Sequence, residues 1–353
     1  MSILFFRGDV LKAGIIGASG YGGLELIRLL HGHSEVESLD LFTSSDEGII
    51  FSHKYAHLMN IHDTPLHRID LDHLASLDVV FTSTPSGVSS KLLPSLIGKG
   101  PRLIDLSGDF RLPEKEYEQW YKKEAAPVDA LKQSVYGLTE WNRAQIKEAA
   151  LVANPGCYPT AVLLSLLPAV KNKLIDASSL IIDAKSGVSG AGNKPSQLTH
   201  FSETNENLSI YKVNQHQHIP EIEQGLEFFS IKQQPITFST HLVPMTRGIL
   251  SAAYAPLSEG VTEKQLIECY KETYQDEPFV RFSSHGDKLG TNQVYGSNYC
   301  DIQLHLDPRT NRVTIVSVID NLVKGAAGQA IQNMNLQFGF NEKTGLDVVP
   351  LFI

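Results

Sequence analysis

The sequence is poor in cysteine and has no long apolar segment. Only Cys157, Cys269 and Cys300 occur among 353 residues. Three widely spaced cysteines form neither a disulfide framework nor a CxxC metal motif, so we expect a reducing, cytoplasmic environment and no metal. The longest apolar stretch, near residues 161–170, is too short to span a membrane, and the apolar start is too short for a signal peptide.

Positive charge is also scarce. The formal net charge is −9, and no long basic run interrupts the chain. This balance argues against non-specific binding to nucleic acid or to an anionic membrane. We therefore expect no nucleic-acid or membrane partner, and an anionic small molecule must be met by local cations or backbone N–H groups. The length suggests two domains more readily than one.

The first half of the chain alternates strands and helices. Residues 10–17 are typical of a buried strand, the following "YGGLELIRLLHGH" has helical spacing, and "VESLDLFTS" alternates as a second strand. Further short apolar strands are expected at 78–83 and 102–106. This pattern predicts a Rossmann-type, doubly wound parallel sheet. The stretch 112–136, rich in charge, Tyr and Trp, is expected to be an exposed excursion.

The second half is dominated by strands. A helix is expected from Cys157 to about residue 172, and the strands that follow predict an α+β domain with a mainly antiparallel sheet. The turn "DPRTNR" predicts a hairpin. We place a nucleotide domain at 1–156 and a catalytic, substrate and oligomerisation domain at 157–321. The final helix, within about 322–353, is expected to complete the first domain.

A glycine-rich loop separates the first strand from the first helix. "GIIGASGYGG" supplies Gly17, Gly20 and Gly22, with Ser19 and Tyr21 between them. Such glycines let the backbone approach a pyrophosphate, which then lies at the helix N-terminus. The alternative is a purely structural turn, but the strand–loop–helix context favours dinucleotide binding.

The end of the second strand discriminates between the two nicotinamide dinucleotides. A carboxylate there binds the ribose hydroxyls of NAD. This chain has Thr43, Ser44 and Ser45, with Asp46 just beyond. Hydroxyl groups tolerate a 2′-phosphate, so we expect NADP(H). Asp46 and the lack of an arginine in this segment argue for NAD(H) instead.

Cys157 stands at the start of the helix in the second half. "NPG" before it is typical of a turn, and Pro159 suits a first helical turn. A helix N-terminus lowers a thiol pKa, which makes the position suitable for covalent catalysis. The alternative is a small buried residue at a loop–helix junction. A dinucleotide loop beside a reactive thiol favours an oxidoreductase that works at the aldehyde level.

These residues lead to a family resemblance that covers nearly the whole chain beyond the first ten residues. The matching strings, in the family's order, are "GASGYGGLELIRLL", "DLSGDFRL", "YGLTE", "NPGCYPTA", "KSGVSGAG", "HQHIPEIEQ", "HLVPMTRGIL" and "VYGSNYCDI". The chain resembles the N-acetyl-gamma-glutamyl-phosphate reductase family. Aspartate-semialdehyde and glyceraldehyde-phosphate dehydrogenases share the architecture and the cysteine but not these strings.

The resemblance implies a reaction and a set of roles. Cys157 attacks an acyl phosphate and expels phosphate, and NADPH reduces the thioester to a semialdehyde, the third step of arginine biosynthesis. His218 is the expected acid and base, because histidine titrates near neutrality, with His216 second. The alternating spacing favours opposite directions for the two rings, in which case one binds substrate or merely packs. By analogy with this architecture, a homodimer or homotetramer is expected.

Several further residues are expected to contact ligands. Arg111 and Arg247 suit a phosphate or carboxylate, and Ser107 accompanies them at the substrate. For Arg111 the alternative is a surface salt bridge to Asp109 or Glu114. Four residues are assigned to the cofactor: Pro85 in "STPSG", Ser186 and Gly187 in "KSGVSGAG", and Asn321. Asn321 could instead cap the last helix.

Two other functions remain open from the sequence alone. The first is a reductase of another acyl phosphate, such as aspartyl phosphate or a carrier-linked aminoadipyl phosphate. The second is a nucleotide-sensing protein that has kept the fold and lost catalysis. Such a protein could dispense with Cys157 and both histidines, so their joint presence argues against it.

Overall fold

The computed structural model describes residues 10–229, 235–284 and 288–353. These residues divide into two compact units. The first contains the residues up to Lys115, Lys123–Asn154 and Ala330–Leu346. The second contains Glu116–Lys122, Pro155–Gln329 and Asp347–Ile353. The domain boundaries expected from the sequence stay a prediction, and each unit is described by itself.

The first unit is built on a parallel sheet. Its strands are β1 (Leu11–Ile16), β2 (Val36–Thr43), β3 (His67–Arg68), β4 (Val79–Thr82), β5 (Arg102–Asp105), β6 (Ser134–Tyr136) and β7 (Leu151–Ala153). Among the described residues the order is β3-β2-β1-β4-β5-β7-β6, and every pair is parallel. Because the order reverses between β1 and β4, a ligand crevice is expected at their carboxyl ends.

Seven helices occur between Tyr21 and Glu148. They are α1 (Tyr21–Leu30), α2 (Phe51–Lys54), α3 (Leu71–Ala75), α4 (Ser89–Leu92), α5 (Glu114–Tyr121), α6 (Val128–Gln133) and α7 (Thr139–Glu148), within the part of the chain that is described. The apolar strands β4 and β7 are fully buried, as expected of a sheet covered on both faces. The predicted doubly wound sheet is therefore confirmed.

The expectation of an exposed excursion at 112–136 holds only in part, because most of its residues are exposed but the stretch is helical and anchored by buried side chains. The stretch forms α5 and α6, and the Tyr117 ring is fully buried. Ala126 and Ala130 pack in the core of the first unit. The charged residues of these short helices face solvent. Their number makes the stretch look exposed by composition, although each helix buries one side.

The second unit is built on a mixed sheet. Its strands are β8 (Ile181–Gly187), β9 (Ser209–Tyr211), β10 (Thr237–Val243), β11 (Ile249–Pro256), β12 (Val280–Ser283), β13 (Cys300–Asp307) and β14 (Arg312–Ile319). Within the described residues the order is β12-β13-β14-β11-β8-β10-β9, with β8/β10 and β12/β13 parallel and the other pairs antiparallel. The mainly antiparallel sheet and the β13–β14 hairpin, which pairs Asp307 with Arg312, are confirmed.

The remaining α-helices lie from Cys157 onward, and 3₁₀ turns occur both before and after this residue. The α-helices are α8 (Cys157–Lys171), α9 (Phe201–Thr204), α10 (Ile219–Phe229), α11 (Glu263–Tyr274) and α12 (Gly328–Phe338). A π-helix spans Val323–Ala327. Single 3₁₀ turns lie at Ala56–Leu58, Leu93–Ser95, Ala177–Ser179, Val188–Ala191, Gln197–Thr199 and Thr291–Gln293. No described helix is long and apolar enough to cross a membrane.

Helix α8 is the buried axis of the second unit. Every residue from 158 to 170 is buried, which follows from a sequence that is apolar on all sides. The Ser317 hydroxyl donates to the Ala161 carbonyl (2.9 Å), and the Tyr270 and Tyr274 hydroxyls donate to the Ser165 and Leu164 carbonyls. The first residue of this immobilised helix, Cys157, is thereby fixed in place.

Candidate active site

The glycine loop after β1 has no room for a side chain at Gly17 and little room at Gly22. Gly17 has φ +87°, and a Cβ there would lie 2.3 Å from the Ser83 carbonyl oxygen. A Cβ at Gly22 would lie 2.6 Å from the Ser83 hydroxyl oxygen. Gly20 is the N-cap of α1, and no side chain of the described residues caps this helix. The first N–H groups of α1 are thus presented beside a bare backbone, which fits a pyrophosphate.

The other residues expected at the nucleotide lie around this loop. The Ser19 carbonyl accepts a hydrogen bond from the Tyr55 hydroxyl (2.8 Å), and the Tyr21 side chain is exposed at the start of α1. Pro85 lies in the turn between β4 and α4. That turn is held by Asp109, whose carboxylate accepts from the Gly87 N–H (2.8 Å) and the Ser90 N–H (2.9 Å).

The hydroxyl-rich end of β2 is arranged around an ion pair. The Thr43 hydroxyl oxygen accepts from the N–H groups of Ser45 (3.2 Å) and Asp46 (3.3 Å), so it shapes the turn. Ser44 and Ser45 are exposed. The Lys54 ammonium lies 2.7 Å from an Asp46 carboxylate oxygen. Lys54 could not be predicted from the sequence, because it belongs to the separate helix α2 and no local pattern links it to β2.

Ser107 and Arg111 lie in a buried polar network at the end of β5. The Ser107 hydroxyl bonds to the Asp105 carboxylate (2.7 Å) and to the Ser89 hydroxyl (2.6 Å). The Arg111 guanidinium donates to the Asn154 and Leu106 carbonyls (2.8 Å each) and is only 8% exposed, which rules out the surface position considered for it. Burial raises the pKa of Asp105, which is fully buried. Both residues therefore support the local backbone.

Cys157 is the first residue of α8, with Gly156 as the N-cap. The Gly156 N–H donates to a carboxylate oxygen of Glu221 (2.8 Å), and Glu221 is fully buried. A side chain 65 positions along the chain thus fixes the turn that presents the thiol. Glu221 follows the two predicted histidines in the sequence, but no local pattern links it to the turn before Cys157.

Gly325 packs directly against the cysteine. A Cβ at Gly325 would lie 2.8 Å from the Cys157 Cβ and 3.2 Å from its Cα. The residue belongs to the π-helix, in which its N–H bonds to the Asp320 carbonyl (3.0 Å). The wider π turn and the absent side chain together let the two backbones approach closely.

The two predicted histidines lie side by side, so the expectation of opposite directions is wrong. Their ring centroids are 4.7 Å apart, and both rings contact the Tyr158 ring, at 5.3 Å for His216 and 5.9 Å for His218. The alternation rule applies to strands, whereas these residues form the tight turn before α10. In that turn the His218 N–H donates to the His216 Nδ1 (3.1 Å).

This hydrogen bond and the burial of the ring determine the tautomer and the protonation state of His216. Because Nδ1 accepts a hydrogen bond, it carries no proton, and the neutral ring has its proton on Nε2. Burial, assisted by the positive charge of Lys212, lowers the pKa of His216 to about 3. His216 is therefore a neutral N–H donor at physiological pH and a weak base.

Arg247 and Asn321 lie where the β10–β11 connection meets the loop after β8. The Arg247 guanidinium is 3.5 Å from the Asp320 carboxylate. The Asn321 amide oxygen accepts from the Gly248 N–H (2.7 Å), and its NH₂ group donates to the Ser189 hydroxyl (3.0 Å). Asn321 thus braces two loops. The cap considered for it is provided by Asp320, which accepts from the Leu322 N–H (2.8 Å).

Ser186 and Gly187 end β8. The Ser186 hydroxyl donates to the Gly187 carbonyl (3.0 Å). A Cβ at Gly187 would lie 2.7 Å from the Thr246 carbonyl oxygen, so the glycine allows the two loops to touch. The segment that follows is a 3₁₀ turn bonded to the β10–β11 connection, through Ser189 N–H and the Thr246 carbonyl (3.0 Å).

Comparisons with known proteins agree with this architecture. Residues 12–149 match the family model described as "Semialdehyde dehydrogenase, NAD binding domain", and residues 157–321 match "Semialdehyde dehydrogenase, dimerisation domain". Aspartate semialdehyde dehydrogenase II of Vibrio cholerae has a similar fold, with a TM-score of 0.69 over 93% of this chain and 98% of that one, at 15% identity. Aspartate semialdehyde dehydrogenase of Candida albicans, solved with NADP, has a TM-score of 0.70 over 93% of this chain and 98% of that one, at 14% identity.

The fold and the two matched domains define a semialdehyde dehydrogenase. Curated relatives narrow this class. The N-acetyl-gamma-glutamyl-phosphate reductases of Geobacillus kaustophilus and Bacillus subtilis are each 54% identical over 97% of this chain and 100% of their own length. The chain belongs to the N-acetyl-gamma-glutamyl-phosphate reductase family. The resemblance, the fold class and the expectation of a dinucleotide-dependent oxidoreductase are confirmed.

Proposed function

We propose that the chain reduces N-acetyl-gamma-glutamyl phosphate with NADPH, giving N-acetylglutamate semialdehyde, phosphate and NADP, the third step of arginine biosynthesis. Family membership over 97% of the chain supports the reaction. The observation that carries the mechanism is the thiol of Cys157 at the first position of a buried helix, behind a turn held by Glu221.

The residues of the first unit fit the cofactor. The bare glycine backbone and the open helix start suit a pyrophosphate, and the end of β2 offers hydroxyl groups and a lysine rather than an isolated carboxylate. When bound, NADPH supplies the hydride. We assign Gly17, Ser19, Gly20, Tyr21, Gly22, Thr43, Ser44, Ser45 and Pro85 to its environment. Ser186, Gly187 and Asn321 belong to the second unit and stay predictions as cofactor contacts.

Cys157 is the proposed nucleophile. Its thiolate attacks the acyl carbon, the C–O bond to phosphate breaks, and a thioester forms. The positive end of α8 favours the thiolate before attack and the oxyanion after it, because the first N–H groups of the helix have no partners within it. The thioester carbon then accepts the hydride, and the thiohemiacetal collapses by breaking the C–S bond, which returns the thiolate.

His218 is the proposed proton carrier for the thiohemiacetal oxygen, with His216 as a fixed neutral donor beside it. The state of His216 supports this division, because a base with a pKa of about 3 accepts protons poorly at neutral pH. Its Nε2–H remains suited to a substrate carbonyl or carboxylate.

Among the predicted anion contacts, Arg247 is the strongest candidate for the substrate. Its side chain is partly exposed, and its guanidinium lies 3.5 Å from the Asp320 carboxylate. Ser107 and Arg111 stay predictions as substrate contacts, since the bonds described for them are to neighbouring protein groups. Their proposed contribution is to hold the end of β5.

The second unit is also the proposed oligomerisation unit. The matched model over residues 157–321 is described as a dimerisation domain. We infer a homodimer or homotetramer, and sedimentation measurements would identify which. The cytoplasmic location expected from the sequence stays a prediction.

The direct test of the function is the reverse reaction. Purified protein receives N-acetylglutamate semialdehyde, phosphate and NADP, and NADPH formation is followed by absorbance. Phosphate-dependent formation, lost after alkylation of free thiols, is expected. If NADPH forms with aspartate semialdehyde instead, the substrate of the enzyme is another acyl phosphate. No formation with any semialdehyde, despite NADPH binding, would favour a nucleotide-sensing protein.

A further inference from the structure

The ion pair at the end of β2 has an unusual position for a surface contact. Lys54 Nζ lies 2.7 Å from Asp46 Oδ2, at the strand end where dinucleotide-binding folds recognise the adenosine ribose. Asp46 also accepts from the Ser45 hydroxyl (3.2 Å). The pair therefore brings one cation and one anion to the place where NADPH and NADH differ.

The backbone around Lys54 is attached to the glycine loop. Lys54 is the last residue of α2, and the next residue, Tyr55, donates its hydroxyl to the Ser19 carbonyl (2.8 Å). Phe51, at the start of the same helix, is fully buried. The lysine thus extends from a segment anchored on both sides, one anchor being the loop that receives the pyrophosphate.

The charges of the pair suit a 2′-phosphate only if the lysine is present. Asp46 alone would repel a phosphate and favour free ribose hydroxyls. The hydrogen bond from Lys54 lowers the pKa of Asp46, and the same bond raises the pKa of Lys54, so both are charged at neutral pH. The ammonium has three N–H donors, which allows it to keep Asp46 and bind a phosphate oxygen at the same time.

We propose that Lys54 binds the 2′-phosphate of NADPH and that Asp46 holds its ammonium group in place before the nucleotide arrives. This inference rests on the proposed function, which supplies the cofactor. No arginine lies between β2 and α2 in the sequence, and the cation comes from α2, eight residues beyond the aspartate that it neutralises.

The test is nucleotide binding to the resting enzyme, without substrate. Dissociation constants for NADPH and NADH are measured by nicotinamide fluorescence for the unmodified protein and for Lys54→Met. If the contact is charge-assisted, Lys54→Met should raise the dissociation constant of NADPH about 10- to 100-fold. The dissociation constant of NADH should change by less than about 2-fold. Lys99→Met is the matched control, an exposed lysine just before β5, at the amino end of that strand, and it should change neither constant.

A second variant separates contact from neutralisation. In Asp46→Asn/Lys54→Met no carboxylate repels the phosphate. If Lys54 touches the phosphate, NADPH still binds at least about 5-fold more weakly than to the unmodified protein. Added salt should also lower the preference for NADPH in the unmodified protein more than in Lys54→Met, because salt screens the lysine–phosphate attraction.

Two results would overturn the inference. If Lys54→Met lowers the affinities for NADPH and NADH equally, the lysine is only a structural support. If the double variant binds NADPH as tightly as the unmodified protein does, the lysine only neutralises Asp46. Either result leaves the proposed function intact. If the unmodified protein binds neither nucleotide, the proposed function fails instead.

Discussion

The nucleotide region of the first unit and the thiol region of the second are built by different means. Around Gly17 the site consists of backbone, and the sequence contributes mainly by omitting side chains. Around Cys157 the site consists of buried side chains, with Glu221 on the preceding turn and two histidines against Tyr158. Binding a pyrophosphate requires exposed N–H groups, whereas directing a thiol requires groups that hold its helix start. The two regions should therefore respond differently to small substitutions.

The largest expected effect separates the regions completely. Cys157→Ser should reduce turnover by about 10⁴-fold or more, because a serine hydroxyl is not ionised at this position. The dissociation constant of NADPH should stay within about 2-fold, since the glycine loop does not depend on the thiol. Steady-state assays and fluorescence titration measure the two quantities. Substantial remaining turnover would remove Cys157 as the nucleophile.

A methyl group in the glycine loop should produce the reverse pattern. In Gly17→Ala the new Cβ meets the Ser83 carbonyl oxygen at 2.3 Å, at a φ of +87° that alanine rarely adopts. Strain of this kind should lower the affinity for NADPH about 10- to 100-fold. The alkylation rate of Cys157 should stay the same. Gly32→Ala is the control, because its Cβ meets its nearest neighbour at an ordinary 3.8 Å. Unchanged NADPH affinity in Gly17→Ala would argue against this loop as the pyrophosphate site.

The histidine pair provides a comparison inside the thiol region. His218→Asn should lower kcat by about 100-fold, the usual contribution of a positioned acid and base. His216→Asn should lower it less, because a neutral donor is replaced by another hydrogen-bonding group. The pH profile of kcat is the discriminating measurement, since loss of the proton carrier should change the shape of this profile, whereas loss of a fixed neutral donor should not. The opposite order of rates would exchange the two roles.

A methyl group beside the thiol should lower the catalytic rate and change the reactivity of Cys157. In Gly325→Ala the Cβ would lie 2.8 Å from the Cys157 Cβ, so the start of α8 or the π-helix must move. Displacement of the nucleophile should lower kcat by about 10-fold or more. The alkylation rate of the thiol should change with it, while thermal stability falls only slightly. Full activity in this variant would mean that the π-helix yields easily and does not position Cys157.

The last expected effect is on the pH dependence of stability and does not involve catalysis. His216 has a folded pKa of about 3 and an unfolded one near 6.5, so below pH 6.5 the unfolded chain binds a proton that the folded chain refuses. Stability is therefore lost as the pH falls through this range. Between pH 7 and pH 5 the unmodified protein should lose about 2 kcal/mol more than His216→Asn. Urea unfolding at both pH values measures the difference, and equal losses would contradict the neutral, buried state of His216.

The sequence predicted the nucleotide region better than the thiol region, for a physical reason. A strand, a glycine loop and a helix are consecutive, so β1, Gly17 and α1 could be recognised from local pattern. Cys157 was recognisable from its own turn, but its supports are distant in sequence. Glu221 reaches Gly156 across 65 positions, and Gly325 reaches Cys157 through a π-helix that no spacing rule predicts.

Two further differences have the same origin. Lys54 was missed because the turn after β2 and helix α2 meet only in the fold. The assignments of Arg111 and Asn321 relied on residue type, whereas burial and hydrogen bonds decide what such side chains do. Arg111 is buried against two backbone carbonyls, and Asn321 connects Gly248 to Ser189.

The central claim is that Cys157 carries the acyl group, and a reaction without phosphate tests it most directly. Protein, N-acetylglutamate semialdehyde and NADP are mixed in the absence of phosphate, and NADPH is followed by rapid absorbance. A burst of about one NADPH per active site is predicted, because the thioester forms and waits for phosphate to release it. Mass spectrometry should find the acyl group on Cys157, and added phosphate should restart turnover. A burst that persists in Cys157→Ser, or an acyl group on another residue, would contradict the account.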